Sequence, residues 1–170
     1  MSDLAGWTEA VAVRLSNWRE RGVRIAVAES LTGGLLTATL VEVPGISAVL
    51  HGGIVAYQTP LKHSLLGVSA ELLAEHGAVH PQVAEQMAAG VRMAAAVDGL
   101  PATIGVATTG VAGPDPQDGQ APGTVFLGLA TEAGVWHRRL ALAGDRASIR
   151  SQTVAEALGW LATHLDEADN

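Results

Sequence analysis

Apolar residues along the chain recur with the periods of helices and strands. Leu4, Trp7, Val11, Leu15 and Trp18 are spaced by three or four residues, which predicts one amphipathic helix over residues 3–21. Similar spacing, with caps or proline at several starts and glycine at several ends, predicts five further helices. They cover residues 35–43, 59–67, 69–77, 80–97 and 146–165, with Thr59 and Asp145 as N-caps.

Short apolar runs between these helices predict strands. Residues 24–28 and 102–107 are typical of strands buried on both faces, and residues 52–57 form a third candidate. Residues 123–130 and 135–142 flank a short turn, which predicts a hairpin. Helices interleaved with apolar strands indicate the α/β class. We therefore expect a three-layer α/β/α domain around a mixed, mostly parallel sheet.

The composition is that of one globular domain spanning residues 1–170. Apolar residues make up 48% and charged residues 16%, which excludes a disordered chain. The lack of cysteine excludes disulfides, thiolate metal sites and a cysteine nucleophile.

The charge balance and the apolar pattern also limit the partners. With 10 basic and 17 acidic residues the net charge is −7, so we expect no nucleic-acid partner. No apolar run approaches the roughly 20 residues of a membrane span. Residues 1–10 lack the basic-then-apolar order of a signal peptide, so we expect a cytoplasmic protein without membrane contact. The alanine-rich composition is compatible with a homodimer and equally with a monomer.

In open α/β sheets, ligands bind at the carboxyl ends of the strands. This rule selects three loops, residues 29–34, 57–62 and 108–114, which contain hydroxyl residues or glycines where an apolar strand ends. Gly33 and Gly34 could let backbone N–H groups approach a phosphate or an oxyanion, or could serve only a tight turn. The loop is neither a Walker loop nor the dinucleotide-binding glycine pattern.

Ser30 lies where a nucleophile would be presented, and a serine hydroxyl needs a base. None of the six histidines lies in a recognisable nucleophile pairing. Lysine can act as the base when burial or a nearby cation lowers its pKa, and Lys62 is the sole lysine of the chain. Two interpretations stay open at this point: a Ser30–Lys62 pair, or an ordinary surface lysine at the start of a helix.

The loops and the last helix carry further candidate residues. Tyr57, the sole tyrosine, could stack on an aromatic ring or relay a proton, or could simply lie at the sheet edge. Thr109 is either a site hydroxyl or the end of a strand. Arg146 and Arg150, one helical turn apart, could pair with a ligand phosphate or form a solvated face.

Metal chemistry is disfavoured. His76 and His80 are four residues apart, but Gly77 and Pro81 argue against one helix that carries both. No H-E-x-x-H motif occurs. We expect neither a metal nor another cofactor.

Short motifs follow one another along almost the whole chain. They are Ala28-Glu29-Ser30-Leu31-Thr32-Gly33-Gly34, Gly53-Ile54-Val55-Ala56-Tyr57 with Lys62, Leu66-Gly67-Val68, His76-Gly77-Ala78-Val79, Thr109-Gly110-Val111-Ala112-Gly113-Pro114, Pro122-Gly123-Thr124-Val125 and Gly144-Asp145-Arg146. This ordered set resembles the C-terminal domain of the competence/damage-inducible protein CinA, in a stand-alone form, from about residue 8 to 165.

The resemblance implies an amidase that converts nicotinamide mononucleotide and water to nicotinic acid mononucleotide and ammonia, in pyridine-nucleotide recycling. It implies that Ser30 is the nucleophile, that Lys62 activates it, and that Tyr57, Thr109 and Arg146 line the site. The expected partner is therefore a pyridine nucleotide. The alternatives are a non-catalytic nucleotide-binding module and an interaction module associated with competence or DNA damage.

For this reaction, neutral Lys62 would take the Ser30 proton as the hydroxyl attacks the carboxamide carbon. Backbone N–H groups around Thr32, Gly33 and Gly34 are candidates for the oxyanion site. The other residues expected to bind substrate are Gly110, Gly113, Arg146 and Arg150.

Overall fold

The computed structural model describes residues 4–167, which form seven α-helices and five β-strands. The helices are α1 (Leu4–Ala12), α2 (Leu15–Glu20), α3 (Leu35–Val41), α4 (Thr59–Leu66), α5 (Ala70–His76), α6 (Pro81–Ala94) and α7 (Arg146–Glu167). The strands are β1 (Ile25–Glu29), β2 (Leu50–Val55), β3 (Ile104–Gly110), β4 (Thr124–Ala130) and β5 (Val135–Ala141). Within this described range, no helix is long and apolar enough to cross a membrane.

The strands form one sheet in the order β2-β1-β3-β4-β5. β1 pairs in parallel with β2 and β3, whereas β4 is antiparallel to β3 and β5. Four strands therefore run in one direction, and the mixed, mostly parallel sheet of the α/β class is confirmed. Glu29 at the end of β1 is level with Val55 and Thr108 on its two neighbours. This register brings the chain segments that follow β1 and β2 to one edge of the sheet, beside the end of β3.

Helices cover both faces of the sheet and give the three predicted layers. α7 packs with α1 and α3 on one face, and α6 packs on the other. The face toward α7 carries branched aliphatic side chains, and the face toward α6 carries mainly alanine. The first set includes Ile25, Val27, Ile104, Val106, Leu127 and Leu129, and the second Ala26, Ala28, Ala107 and Ala130.

α6 lies unusually close to the sheet because two strand residues have no side chain. A Cβ atom at Gly105 would lie 2.0 Å from Ala88 O, and one at Gly128 would lie 2.0 Å from Ala84 O. Glycine in a strand often marks such a close backbone approach. Gly105 and Gly128 therefore permit tight packing of α6 on the sheet.

The single helix predicted over residues 3–21 is wrong for its described part, because a turn at residues 13–14 separates α1 from α2. The Arg14 N–H donates to Val11 O, three residues earlier, whereas an α-helical N–H donates to the carbonyl four residues earlier. The Arg14 guanidinium pairs with Asp166 of α7 at 2.8 Å. Apolar spacing alone did not reveal this break, because Trp18 continues the buried stripe beyond it. Residue 3 lies outside the described residues.

β3 is longer than the predicted strand, which ended at residue 107. Antiparallel pairing with β4 continues to Gly110, which lies opposite Val125. Thr108, Thr109 and Gly110 therefore belong to the strand rather than to the following loop.

Two predicted helix boundaries also move. α6 ends at Ala94 rather than near residue 97, because residues 97–100 form a turn with Asp98 at φ 51°. The N-cap of α4 is Gln58, so that Thr59 is its first helical residue. Asp145, in contrast, caps α7 as predicted, since its carboxylate accepts the Ser148 N–H at 2.8 Å.

Candidate active site

Ser30 and Lys62 meet at the carboxyl edge of the sheet. Ser30 directly follows β1, and its backbone N–H donates to Thr108 O on β3 at 3.0 Å. Lys62 lies in the first turn of α4, and its Nζ is 2.9 Å from Ser30 Oγ. Lys62 is completely buried and Ser30 is 8% exposed. The structure therefore places side by side the two residues that the sequence offered as nucleophile and base.

The surroundings of Lys62 suit a neutral amine. Its Nζ also lies 2.8 Å from Ala56 O and 3.3 Å from Tyr57 O. A neutral amine has two N–H groups and one lone pair, so these carbonyls can accept both N–H groups while the lone pair faces Ser30. Burial lowers the pKa of Lys62 from its ordinary 10.5 to about 8, against the opposing effect of the Asp118 charge.

Glu29, the last residue of β1, is fully buried and holds the start of α3. Its carboxylate accepts the backbone N–H groups of Gly34, Leu36 and Thr37 at 2.8–3.0 Å, and the Thr37 hydroxyl at 2.6 Å. Gly34 is the N-cap residue of α3 and has no side chain to cap it, so a distant acceptor is required. Glu29 therefore fixes the loop that follows the candidate nucleophile.

The role of Glu29 was not predicted from the sequence. The signal that could have revealed it is an acidic residue at the end of an apolar strand, shortly before a helix that begins after glycine. Gly53 completes the arrangement, because a Cβ there would lie 2.0 Å from Thr37 Oγ1. Glycine at this position thus leaves room for the hydroxyl that binds Glu29.

The expected oxyanion role of Gly33 and Gly34 does not hold. The Gly33 N–H donates to Ser30 O at 3.0 Å, and the Gly34 N–H donates to Glu29. Among residues 4–167, no acceptor takes the N–H groups of Leu31 and Thr32. Of the two residues, only Leu31 lines the pocket, since Thr32 is completely buried, so the Leu31 N–H is the available donor next to Ser30.

Arg150 does not line the pocket as expected of a phosphate ligand. Its guanidinium donates to Leu31 O at 3.1 Å and to Thr32 O at 2.7 Å. The Thr32 hydroxyl is buried, 2.8 Å from the Thr108 hydroxyl, and therefore faces the protein interior rather than a substrate. Arg150 and Thr32 thus attach the nucleophile loop to α7 and to β3.

Thr109 also lies outside the pocket. Its buried hydroxyl donates to Ala78 O at 2.7 Å, and the Ala78 N–H donates to Asp118 at 2.8 Å. The expectation that the Thr109 hydroxyl lines the site has no geometric support, because this hydroxyl already holds the segment before α6.

A pocket of about 240 Å³ opens beside Ser30. It is lined by Ser30, Leu31, Tyr57, Gln58, Thr59, Gly110, Val111, Ala112, Gly113, Asp115, Gln117 and Arg146. Arg146 spans its mouth, donating to the Tyr57 hydroxyl at 2.9 Å and to Gly113 O at 2.8 Å. The structure thus brings Tyr57, Gly110, Gly113 and Arg146 to Ser30, as expected.

Four polar residues of the pocket wall were not predicted from the sequence, namely Gln58, Thr59, Asp115 and Gln117. Gln58 lies within the selected loop of residues 57–62, so its polar side chain was the available signal. Asp115 and Gln117 follow the loop of residues 108–114, and the polar, proline-containing sequence around them predicts only a surface turn.

Within residues 4–167, the His, Asp and Glu side chains form no cluster that could hold a metal ion. His76 and His80 instead stack on each other, with ring centroids 4.4 Å apart. Burial and the neighbouring His76 lower the pKa of His80.

Replacing Glu29 by glutamine is expected to lower the free energy of unfolding by about 2–3 kcal/mol. Glutamine has one acceptor oxygen, and its NH2 group would face backbone N–H groups of α3 without an acceptor. Urea denaturation measures this difference. Glu42→Gln at the exposed end of α3 is the matched control and should unfold like the wild type. Equal stability of the two variants would contradict the role given to Glu29.

Comparison with known proteins identifies the family. Residues 8–165 match the model of the CinA C-terminal domain. The chain belongs to this family. A CinA-like protein of Frankia casuarinae is 51% identical over 139 residues, which are 82% of this chain and 31% of that protein. A putative competence-damage inducible protein of Desulforamulus reducens is 47% identical over 139 residues, 82% of this chain and 33% of that protein. The chain thus spans about a third of the length of these curated relatives.

Solved CinA structures share the fold over nearly their full length. The competence damage-inducible protein A of Klebsiella pneumoniae superposes with a TM-score of 0.85 at 32% identity, covering 94% of this chain and 97% of that one. The competence/damage inducible protein CihA of Agrobacterium tumefaciens gives a TM-score of 0.84 at 34% identity, over 92% and 94% of the two chains.

Proposed function

We propose that this CinA domain hydrolyses the carboxamide of a nicotinamide nucleotide, with release of ammonia, through an acyl-enzyme on Ser30. The observation that carries the proposal is the buried contact of 2.9 Å between Lys62 Nζ and Ser30 Oγ. A lysine whose pKa is lowered by burial can act as the base for serine at moderately alkaline pH. The choice of a nicotinamide nucleotide rests on the resemblance of the motifs to the family.

In the first step, Ser30 Oγ bonds to the carboxamide carbon while its proton passes to Lys62. The C–N bond then breaks, and Lys62 returns the proton to the nitrogen, which leaves as ammonia. In the second step, water attacks the Ser30 ester, and Lys62 transfers the water proton to Ser30 Oγ. The products are nicotinic acid mononucleotide and free enzyme, so Lys62 ends each half-reaction neutral.

Two groups of the pocket support this assignment. The Leu31 N–H has no acceptor among residues 4–167, lies on the pocket wall next to Ser30, and is our candidate for the oxyanion site, in which one donor is typically worth about 3–4 kcal/mol. Arg146 uses two of its five N–H groups on Tyr57 and Gly113, which leaves three for a substrate phosphate at the mouth.

Ammonia release should be measured side by side for nicotinamide mononucleotide, nicotinamide riboside and free nicotinamide. We expect kcat/KM for the nucleotide to exceed that for the riboside by about tenfold or more, because only the nucleotide offers Arg146 a phosphate. Arg146→Gln should reduce the value for the nucleotide and leave that for the riboside nearly unchanged.

The outcomes separate the proposed functions. Binding of the nucleotide in calorimetry without ammonia from any of the three amides would favour a non-catalytic module. Equal losses for the nucleotide and the riboside in Arg146→Gln would contradict the phosphate contact while leaving the hydrolysis itself supported.

A further inference from the structure

A second cavity lies at the opposite end of the sheet from Ser30, where β1 and β3 begin. Its volume is about 430 Å³. It is lined by Arg24, Arg92, Pro101, Ala102, Thr103 and Glu132. The proposed amidase mechanism uses none of these residues.

Both arginines are held in place by backbone carbonyls. Arg24 Nε donates to Pro101 O at 3.1 Å and Arg24 Nη1 to Gly22 O at 3.2 Å. Arg92 Nε donates to Ala102 O at 3.0 Å. Among the described residues, no acceptor takes the N–H groups of Arg24 Nη2 or of either Arg92 Nη atom. The two guanidinium groups are therefore fixed at the cavity with donors to spare.

Neither guanidinium has a carboxylate partner in the part of the chain that the structure describes, although the protein carries a net charge of −7. Arg14, in contrast, forms an ion pair with Asp166. Thr103 ties the cavity wall together, because its hydroxyl accepts the Arg24 N–H and donates to Arg24 O. Two anchored cations that form no ion pair, in an acidic protein, match a bound oxyanion, for which arginine supplies bidentate donors.

We propose that this cavity binds the phosphate group of a phosphorylated small molecule, between Arg24 and Arg92. Glu132, in the turn between β4 and β5, provides an acceptor on the same cavity. A sugar phosphate satisfies both requirements, since its phosphate pairs with the arginines and its hydroxyl groups donate to Glu132. The proposal does not depend on the reaction at Ser30.

The test titrates the whole protein with inorganic phosphate, ribose 5-phosphate and ribose, in the Arg146→Gln background to silence the cation of the catalytic pocket. Proton–nitrogen NMR spectra follow the arginine Nε–H signals, and calorimetry gives the affinities. We expect both phosphates to shift the signals of Arg24 and Arg92, ribose 5-phosphate to bind more tightly, and ribose to shift neither. Arg139, exposed on β5, is the internal reference and should not move.

Variants give an independent measurement. Arg92→Gln should weaken ribose 5-phosphate binding by about tenfold or more, whereas Arg139→Gln should leave it unchanged. Glu132→Gln should increase the affinity for inorganic phosphate, because a repelling charge is removed. It should also reduce the difference in affinity between ribose 5-phosphate and inorganic phosphate. The proposal is overturned if phosphate does not shift the Nε–H signals of Arg24 and Arg92. It is also overturned if Arg92→Gln and Arg139→Gln bind ribose 5-phosphate with equal affinity.

Discussion

Ser30→Ala is expected to reduce the hydrolysis of nicotinamide mononucleotide by at least about 1,000-fold, because alanine has no oxygen to form the acyl-enzyme. The ammonia assay measures the rate. The loss should appear in kcat rather than in substrate binding, because Ser30 is one of many residues that line the pocket and the others are unchanged. Calorimetry should therefore still detect nucleotide binding by the variant.

Ser64→Ala is the matched control for this substitution. Ser64 lies on the same helix as Lys62 but is exposed to solvent, so its removal should leave the rate unchanged. A Ser30→Ala protein that keeps a tenth or more of the wild-type rate would remove Ser30 from the mechanism. Acid-quenched wild-type enzyme should also carry the mass of the acyl group on the peptide that contains Ser30.

The rate is expected to rise with pH up to about 8 and then to level off, because only neutral Lys62 can accept the Ser30 proton. With a pKa of about 8, roughly a tenth of Lys62 is neutral at pH 7 and about a hundredth at pH 6. The pKa of Lys62 is lowered because burial disfavours the charged ammonium form. Steady-state measurements of kcat/KM between pH 6 and pH 10 should show this single rise.

Two variants probe the origin of the rise. Lys62→Arg should lower kcat by about 1,000-fold or more at every pH, since guanidinium stays protonated and offers no lone pair. Asp118→Asn should move the rise to lower pH, because the Asp118 charge raises the pKa of Lys62. A flat profile between pH 6 and pH 9, or an active Lys62→Arg enzyme, would refute the role of Lys62 as base.

Much of this site could be predicted because sheet topology determines where strands end. Apolar runs gave β1 and β2, and the carboxyl-edge rule then placed Ser30 near the loop that leads to Lys62. Burial of Lys62 could not be predicted from its neighbours along the chain, since it depends on the packing of α4 against α6 and on the approach of its amine to Ser30 and Ala56. The family motifs favoured a Ser30–Lys62 pair over an ordinary surface lysine, two interpretations that composition alone left open.

The errors at Thr109, at Arg150 and at the end of β3 have a common physical cause, because each depends on a partner that is distant in sequence. Thr109 binds a carbonyl 31 residues away, and Arg150 binds carbonyls 118 and 119 residues away. Gly33 and Gly34 looked like free donors, because nothing in the glycine pattern shows that Ser30 O and the Glu29 carboxylate already accept their N–H groups. The end of β3 depends on β4, whose register the sequence does not reveal.

Carboxylates of the protein itself close the amino ends of both α3 and α7, through Glu29 and Asp145. At these two helices the attraction of the helix dipole for anions is therefore satisfied within the protein. In our proposal, the phosphate of the substrate is instead recognised by Arg146 at the pocket rim. Bond breaking and substrate choice are thereby separated in space. Evolution or engineering could retarget such a domain to uncharged amides by altering one rim position, without disturbing the buried pair that performs the chemistry.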